Sequence, residues 1–384
     1  MTRRKNDEPD VGQVPLFEME SEGSLPPTLR KRFLVPPFSV LDARQGYWQA
    51  RKRAWIRLGI QSELGRGENL IGRSDQTRDI NHYSREPRLL EDEVEAEEFS
   101  ANGGGLTYGD GPQITEKGLN YYRNQAKEAK YQANGHAGSS GALHNRIGEA
   151  YGRKDQTGTS IFDPVLCEVA CRWFTNAGAR ILDPFAGGSV RGIVAAKLGR
   201  SYIGVDLSPY QVEANRQQAQ RICKGDPYRP VWRVGDSNDL DKICEDDDPV
   251  DFVFTCPPYY DLEIYSKDPR DISNAGTYDD FANTYSSIIY QACKHLKDNR
   301  FAAIVIGDIR DKQGMYRTFF QDTIAAFAHA GLKLYNTAVL VTVTGSLPVR
   351  VSKPFVVGRK LGRTHQYVLQ FVKGDPKKAT LHEL

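Results

Sequence analysis

Little in this chain points to disulfides, metals or membranes. Its 384 residues hold six cysteines, at 167, 171, 223, 244, 256 and 293, and none of them form a C-x-x-C pair. That spacing excludes a disulfide-framed small domain and a zinc ribbon, and suits reduced thiols inside a cell. Cys167 and Cys171 stand one helical turn apart, a spacing for helix packing. The seven histidines are scattered, and no ligand set surrounds the nearest pair, His136 and His144, so no metal is expected. No apolar run reaches the roughly 18 residues of a membrane span. The first residues lead into no apolar stretch, so the expectation is a cytoplasmic protein without a secretory signal or membrane partner. The G-x-G-x-x-G fingerprint is missing too, and no lysine follows the glycine turn as in a P-loop. A pyrophosphate-bearing cofactor is therefore disfavoured.

Net charge is also nearly absent, at +2, but it is unevenly distributed. Residues 24–66 carry nine Lys/Arg against two Asp/Glu, and residues 345–378 carry eight against one. Between them, 91–98 holds six acids. Two basic segments in a near-neutral chain fit a protein that meets a polyanion with part of its surface. Composition divides the chain into a polar tail at 1–23, a basic and aromatic module at 24–66, a polar linker or partly ordered insertion at 67–155, an α/β domain at 156–375 and a tail at 376–384. The module predicts a helix over 43–58. Trp48 and Trp55 share one face of it, with Arg51, Lys52 and Arg53 among its basic residues. A further helix is expected over 116–133.

From about 157 the pattern alternates strands with amphipathic helices, the signature of a mainly parallel sheet covered on both faces. Strands are expected at 179–185, 201–207, 231–234, 251–255 and 301–306, and helices at 163–174, 190–198, 208–223, 277–297 and 316–330. A last strand pair, 334–344 and 366–373, is joined by a basic, glycine-rich loop, so its second member should return antiparallel.

Acids sit at three successive strand ends. The first strand runs into Asp183-Pro184-Phe185-Ala186-Gly187-Gly188, an acid followed by a tight glycine turn and a helix, which makes a nucleotide cradle. The second ends in Asp206-Leu207, with Asp206 lying 23 positions after Asp183, a distance that suits a carboxylate accepting bonds from ribose hydroxyls. The third ends in Asp236-Ser237, placed to meet an adenine amine. The fourth ends in Thr255-Cys256-Pro257-Pro258-Tyr259-Tyr260. Two prolines stiffen that corner, the Pro257 carbonyl can accept from an exocyclic amine, and Tyr259 offers a flat surface to a base.

DPFAGG at 183–188 and TCPPYY at 255–260 resemble motifs I and IV of the S-adenosylmethionine-dependent DNA amino-methyltransferases, which modify adenine N6 or cytosine N4. The flanking GGSVRGIVAA at 187–196 and PPFSVLDARQGYWQ at 36–49 resemble phage and prophage modification methylases of actinobacterial type. The resemblance covers about 157–374. It implies a class I methyltransferase-like (Rossmann-like) sheet of seven strands, with the basic helical module added, in a bacterial or phage-infected cell. It also implies S-adenosylmethionine as cofactor, held by Asp183, Pro184, Phe185, Gly187, Asp206, Leu207, Asp236 and Ser237. Phe162 and Asp163, just upstream, resemble motif X. Cys256, Pro257, Pro258 and Tyr259 would hold the target base.

Cys256 departs from the family, which has Asp, Asn or Ser there, because a thiol accepts hydrogen bonds poorly. The amine would then lean on the Pro257 carbonyl or on another group. Cys256 also raises the rival of cytosine C5 methylation by a thiolate, although Pro follows rather than precedes it here. Two further alternatives are an RNA amino-methyltransferase and a catalytically silent DNA-binding protein of the same fold. DNA is the expected partner, through Arg350, Lys353, Arg359, Lys360 and Arg363 on a mobile basic loop, and through Arg51 and Arg53 of the module. No nuclease signature appears, so a restriction endonuclease would be a separate chain. Adenine versus cytosine, the recognition sequence and the oligomeric state are not legible.

Overall fold

The computed structural model describes residues 33–61, 71–72, 162–344 and 347–380. The expectations for 1–23, for nearly all of 67–155 and for the 116–133 helix lie outside the described residues. All described residues fall in one compact unit built from 1–73 and 160–384.

Ten strands are described: β1 (Val40–Asp42), β2 (Ile71–Gly72), β3 (Arg180–Asp183), β4 (Ser201–Asp206), β5 (Val231–Val234), β6 (Val250–Thr255), β7 (Glu263–Ile264), β8 (Leu296–Ile306), β9 (Lys333–Val341) and β10 (His365–Lys373). The helices are α1 (Gly46–Arg57), α2 (Pro164–Phe174), α3 (Val190–Lys197), α4 (Pro209–Ile222), α5 (Leu240–Ile243), α6 (Tyr278–Lys294), α7 (Phe319–His329), α8 (Leu347–Gly358) and α9 (Pro376–Thr380). The main sheet has the order β1-β9-β10-β8-β6-β3-β4-β5, while β2 and β7 pair separately. Every ladder of the main sheet is parallel except the two made by β10. This is the expected class I methyltransferase-like α/β sheet, with β10 returning antiparallel as the short connection predicts.

The strand count differs from seven. Residues 40–42 pair parallel with β9, Val40 opposite Val339 and Asp42 opposite Val341, so the basic module supplies an eighth strand at the sheet edge. Three residues are too few for alternation to be seen in sequence. A second correction concerns the mobile basic loop. Residues 347–358 form helix α8, with Pro354 inside it. Pro354, Gly345, Gly358 and Gly362 punctuate that stretch and disguised the helix. A third concerns α6. Its apolar period runs into Leu296, which in fact opens β8 opposite Val250.

Period-2 alternation divides the core. Ile181, Tyr202, Phe252 and Phe254 face one side of the sheet, with α1 through α4. Leu182, Ile203, Val205 and Val253 face the other, with α5, α6 and α7. Helix starts follow their caps. The Asp163 carboxylate accepts from the Val165 and Leu166 amides, with Pro164 at the first helical position. The Ser208 hydroxyl accepts from the Gln211 amide. Among the described residues no helix is long and apolar enough to cross a membrane, and no group of three or more His, Cys, Asp or Glu could hold a metal ion. None of the six cysteines is in a disulfide; five are buried and Cys256 is half-buried.

Candidate active site at the carboxyl edge

Parallel strands bring their carboxyl ends to one edge, and the loops leaving that edge form a crevice where ligands of open α/β sheets bind. Here the crevice is a cavity of about 420 Å³, within the range of small-ligand sites. Its lining includes Phe162, Asp163, Pro184, Phe185, Gly187, Asp206, Leu207, Asp236, Ser237, Cys256, Pro257, Pro258 and Tyr259. These come from the ends of β3, β4, β5 and β6 and from the start of α2.

Asp183 is placed differently. It is fully buried beneath the cavity and does not line it. Its Oδ1 accepts from the Phe185 amide at 3.2 Å and the Thr255 hydroxyl at 2.6 Å, and its Oδ2 accepts from Arg191 and from the Tyr202 hydroxyl at 2.7 Å. Four bonds fill a carboxylate's acceptor sites. Asp183 therefore ties β3, β4, β6 and α3 together at the floor rather than touching a ligand.

Asp206 does face the cavity. Its Oδ2 accepts from the Gly187 amide at 2.9 Å and its Oδ1 from the Ser208 amide at 2.8 Å, which leaves acceptor capacity on both oxygens. Burial pushes its carboxyl up to about 6, against the pull of those two amides. Gly187 has φ +50, and nothing stands within 4 Å of where its side chain would be. The glycine both makes the turn and keeps the space beside Asp206 open. The Ser237 hydroxyl donates to the Pro184 carbonyl at 2.6 Å, tying the third strand end to the first. Asp236 Oδ1 is held by the Asn238 amide at 2.9 Å.

On the base side, the Tyr259 hydroxyl lies 3.7 Å from Cys256 Sγ and accepts from Gln366 Nε2 at 3.3 Å. Its ring meets Phe319 edge-on at 6.3 Å. Burial raises the phenol well above its usual range, so it stays neutral.

Sequence reasoning passed over several lining residues: Arg191, Gln366, Gln49 and Lys52. Arg191 was readable as a cation in the first turn after the glycine loop, eight positions from Asp183. It donates to Asp183 and to the Phe185 and Ala186 carbonyls, and stacks 4.6 Å over the Phe162 ring. Gln366 and the module residues are remote in sequence, and only the fold assembles them.

The expected DNA contacts divide. Arg51 is 3% exposed, and its guanidinium is gripped by Glu168 across a separation of 117 residues, so it cannot reach a phosphate. Arg53, Arg350, Lys353 and Arg359 are exposed, and Lys360 is half-buried. Arg363 is half-buried, bonded to the Asp308 carbonyl and 3.3 Å from its carboxylate.

Residues 121–217 match the family model of N6/N4-type DNA methylases. That stretch is similar to the DNA methylases. The matched stretch takes in about a quarter of the chain, and its described part runs from Phe162 into α4, with the glycine turn and Asp206. The diproline corner lies beyond it. No curated protein matches. Similar solved structures include the magnesium protoporphyrin IX methyltransferase of Synechocystis PCC 6803 with bound SAM. It is 12% identical, over 69% of this chain and 100% of that one, with a TM-score of 0.36. A TehB-like SAM-dependent methyltransferase of Corynebacterium glutamicum ATCC 13032 is 16% identical, over 66% of this chain and 99% of that one, at a TM-score of 0.33.

Proposed function

We propose that this protein is a DNA methylase that transfers a methyl group from S-adenosylmethionine to the exocyclic amine of a flipped base, cytosine N4 or adenine N6. The observation that carries the reading is the single cavity. The Asp206, Asp236 and Gly187 side and the Pro257, Pro258 and Tyr259 side line one space, so a donor and a base could meet there.

The residues present suit the donor. Asp206 keeps acceptor sites for a ribose diol beside the opening left by Gly187. Asp236 stands at the next strand end for an adenine amine, and Phe185 and Leu207 supply apolar walls. When bound, S-adenosylmethionine supplies an electrophilic methyl on a sulfonium. The protein's work is positioning, which can carry a large part of an in-line displacement. The Pro257 carbonyl accepts a hydrogen bond from the amine, which turns the nitrogen lone pair out of conjugation with the ring. The neutral Tyr259 ring stacks on the base. Extruding a base costs a few kcal/mol, and aromatic stacking returns about 1–3 kcal/mol. The Cys256 thiol lies beside the Tyr259 hydroxyl, where it packs against the base site without attacking the ring.

The test is incubation of the protein with labelled S-adenosylmethionine and, separately, unmodified genomic DNA and total RNA, followed by nucleoside mass spectrometry. N4-methylcytosine or N6-methyladenine in DNA is expected. Product in RNA alone, 5-methylcytosine, or donor binding without any transfer would each replace this reading with one of its rivals.

A further inference from the structure

Lys52 belongs to a helix whose basic residues look in sequence like a solvated or DNA-facing surface. The structure turns it the other way. Trp48, Arg51, Lys52 and Trp55 follow the i, i+3, i+4, i+7 spacing of one helical face. That face packs on α2: Trp48 Nε1 donates to Asp163 Oδ1 at 3.2 Å, Trp55 Nε1 donates to Glu168 at 2.8 Å, and Arg51 pairs with Glu168. Lys52 sits among these anchors, with its Nζ 3.1 Å from Asp163 Oδ2 and its side chain 32% exposed. Lys52, Gln49 and Ala43 line the same cavity, so the N-terminal segment forms part of its wall.

Three cations line that cavity among the described residues: Lys52, Arg191 and Arg270. Arg191 is committed to Asp183 and two carbonyls. Arg270 is held by Asp268 through both Nε and Nη2. Lys52 has one partner for three donors. Asp163 Oδ1 is filled by two amides and an indole, whereas its Oδ2 faces Lys52. The pair thus presents one cation and one anion side by side at the α1/α2 wall. An α-amino acid is the complementary shape, because a zwitterion entering a cavity must find both charges partnered.

We propose that Lys52 and Asp163 form the receptor for the amino-acid end of the donor, Lys52 taking the α-carboxylate and Asp163 the α-ammonium. This rests on S-adenosylmethionine being the donor, and it makes the N-terminal segment part of the donor site rather than a DNA-binding appendage. The test is calorimetric binding of two ligands to the full chain. S-adenosylhomocysteine has the amino-acid end, and 5′-methylthioadenosine shares its adenine, ribose and sulfur but lacks that end. Lys52→Ala should weaken S-adenosylhomocysteine by about tenfold or more, the value of one charge-assisted hydrogen bond, and leave methylthioadenosine within about twofold. Lys52→Arg should recover most of the loss. Equal weakening of both ligands would mean that Lys52 only holds α1 in place, and no weakening of either would mean that it touches neither; both overturn the proposal. A wild-type protein that binds neither ligand would overturn the donor reading itself.

Discussion

The two basic segments carry the same excess charge in sequence, yet the helix in each uses it differently. On the face of α1 that packs on α2 two cations turn inward, although Arg44, Arg53 and Arg57 of the same segment are exposed. Arg51 is locked to Glu168, Lys52 pairs with Asp163 at the cavity wall, and Trp48 and Trp55 are fully buried beside them. In the segment between β9 and β10 three of the five cations turn outward. Helix α8 carries exposed Arg350 and Lys353, Arg359 follows it, and even Val356 and Val357 are 70% and 79% exposed. A charge count says how many cations a segment has. It does not say which of them have acids waiting elsewhere in the fold, and the acids that meet Arg51 and Lys52 lie more than a hundred residues away, on α2 and at its start.

This contrast can be broken most sharply at Glu168. Its two oxygens hold Arg51, Trp55 and Arg172, so Glu168→Leu strands a buried guanidinium. A loss of about 3–5 kcal/mol of stability is expected by denaturant unfolding, with no change in the salt dependence of DNA binding. Neutralising Arg350, Lys353 and Arg359 together should do the reverse. The log–log salt slope should fall by up to about 2.7, equivalent to a few hundredfold in affinity near 0.1 M salt, while the unfolding midpoint holds. Anisotropy titrations over a salt series read this directly, and an unchanged slope would deny α8 its role. Arg53, one of the two exposed cations on α1 with Arg57, is the smallest perturbation. Arg53→Gln should move the slope by at most about 0.9 and stability by less than about 0.5 kcal/mol.

Much of the fold was legible because its signals are local. Apolar runs ending in Asp mark β3 and β4, and Asp163-Pro164 and Ser208-Pro209 mark helix starts that the caps bear out. The parts that were not legible are non-local or very short. The three residues of β1 acquire meaning only beside β9, and α8 hides behind Pro354. In the cavity, residue type suggested the strand-end acids but could not separate them. Asp183 and Asp206 look alike in sequence, yet one is saturated under the floor and the other opens onto the space above.

That difference also sets a pH dependence between the two acids. Asp206 titrates near 6, above its ordinary 3.8, so the native state holds its proton more tightly than the unfolded chain. The contribution of Asp206 to stability therefore falls as pH rises from 3.8 to 6. Ligand binding runs the other way. Ribose hydroxyls favour the carboxylate, so affinity for S-adenosylhomocysteine should hold above pH 6 and fall below it, by at most about tenfold per unit. Asp206→Asn should flatten that profile.

The account stands or falls on the cavity having a donor half and a base half. Calorimetry with S-adenosylhomocysteine, paired with single-turnover methyl transfer to DNA, measures this on two variants. Asp206→Ala should lose most of its ligand affinity, whereas Tyr259→Ala should bind the ligand as the wild type does and transfer no methyl. Equal loss of ligand binding in both variants would contradict the division and the account with it.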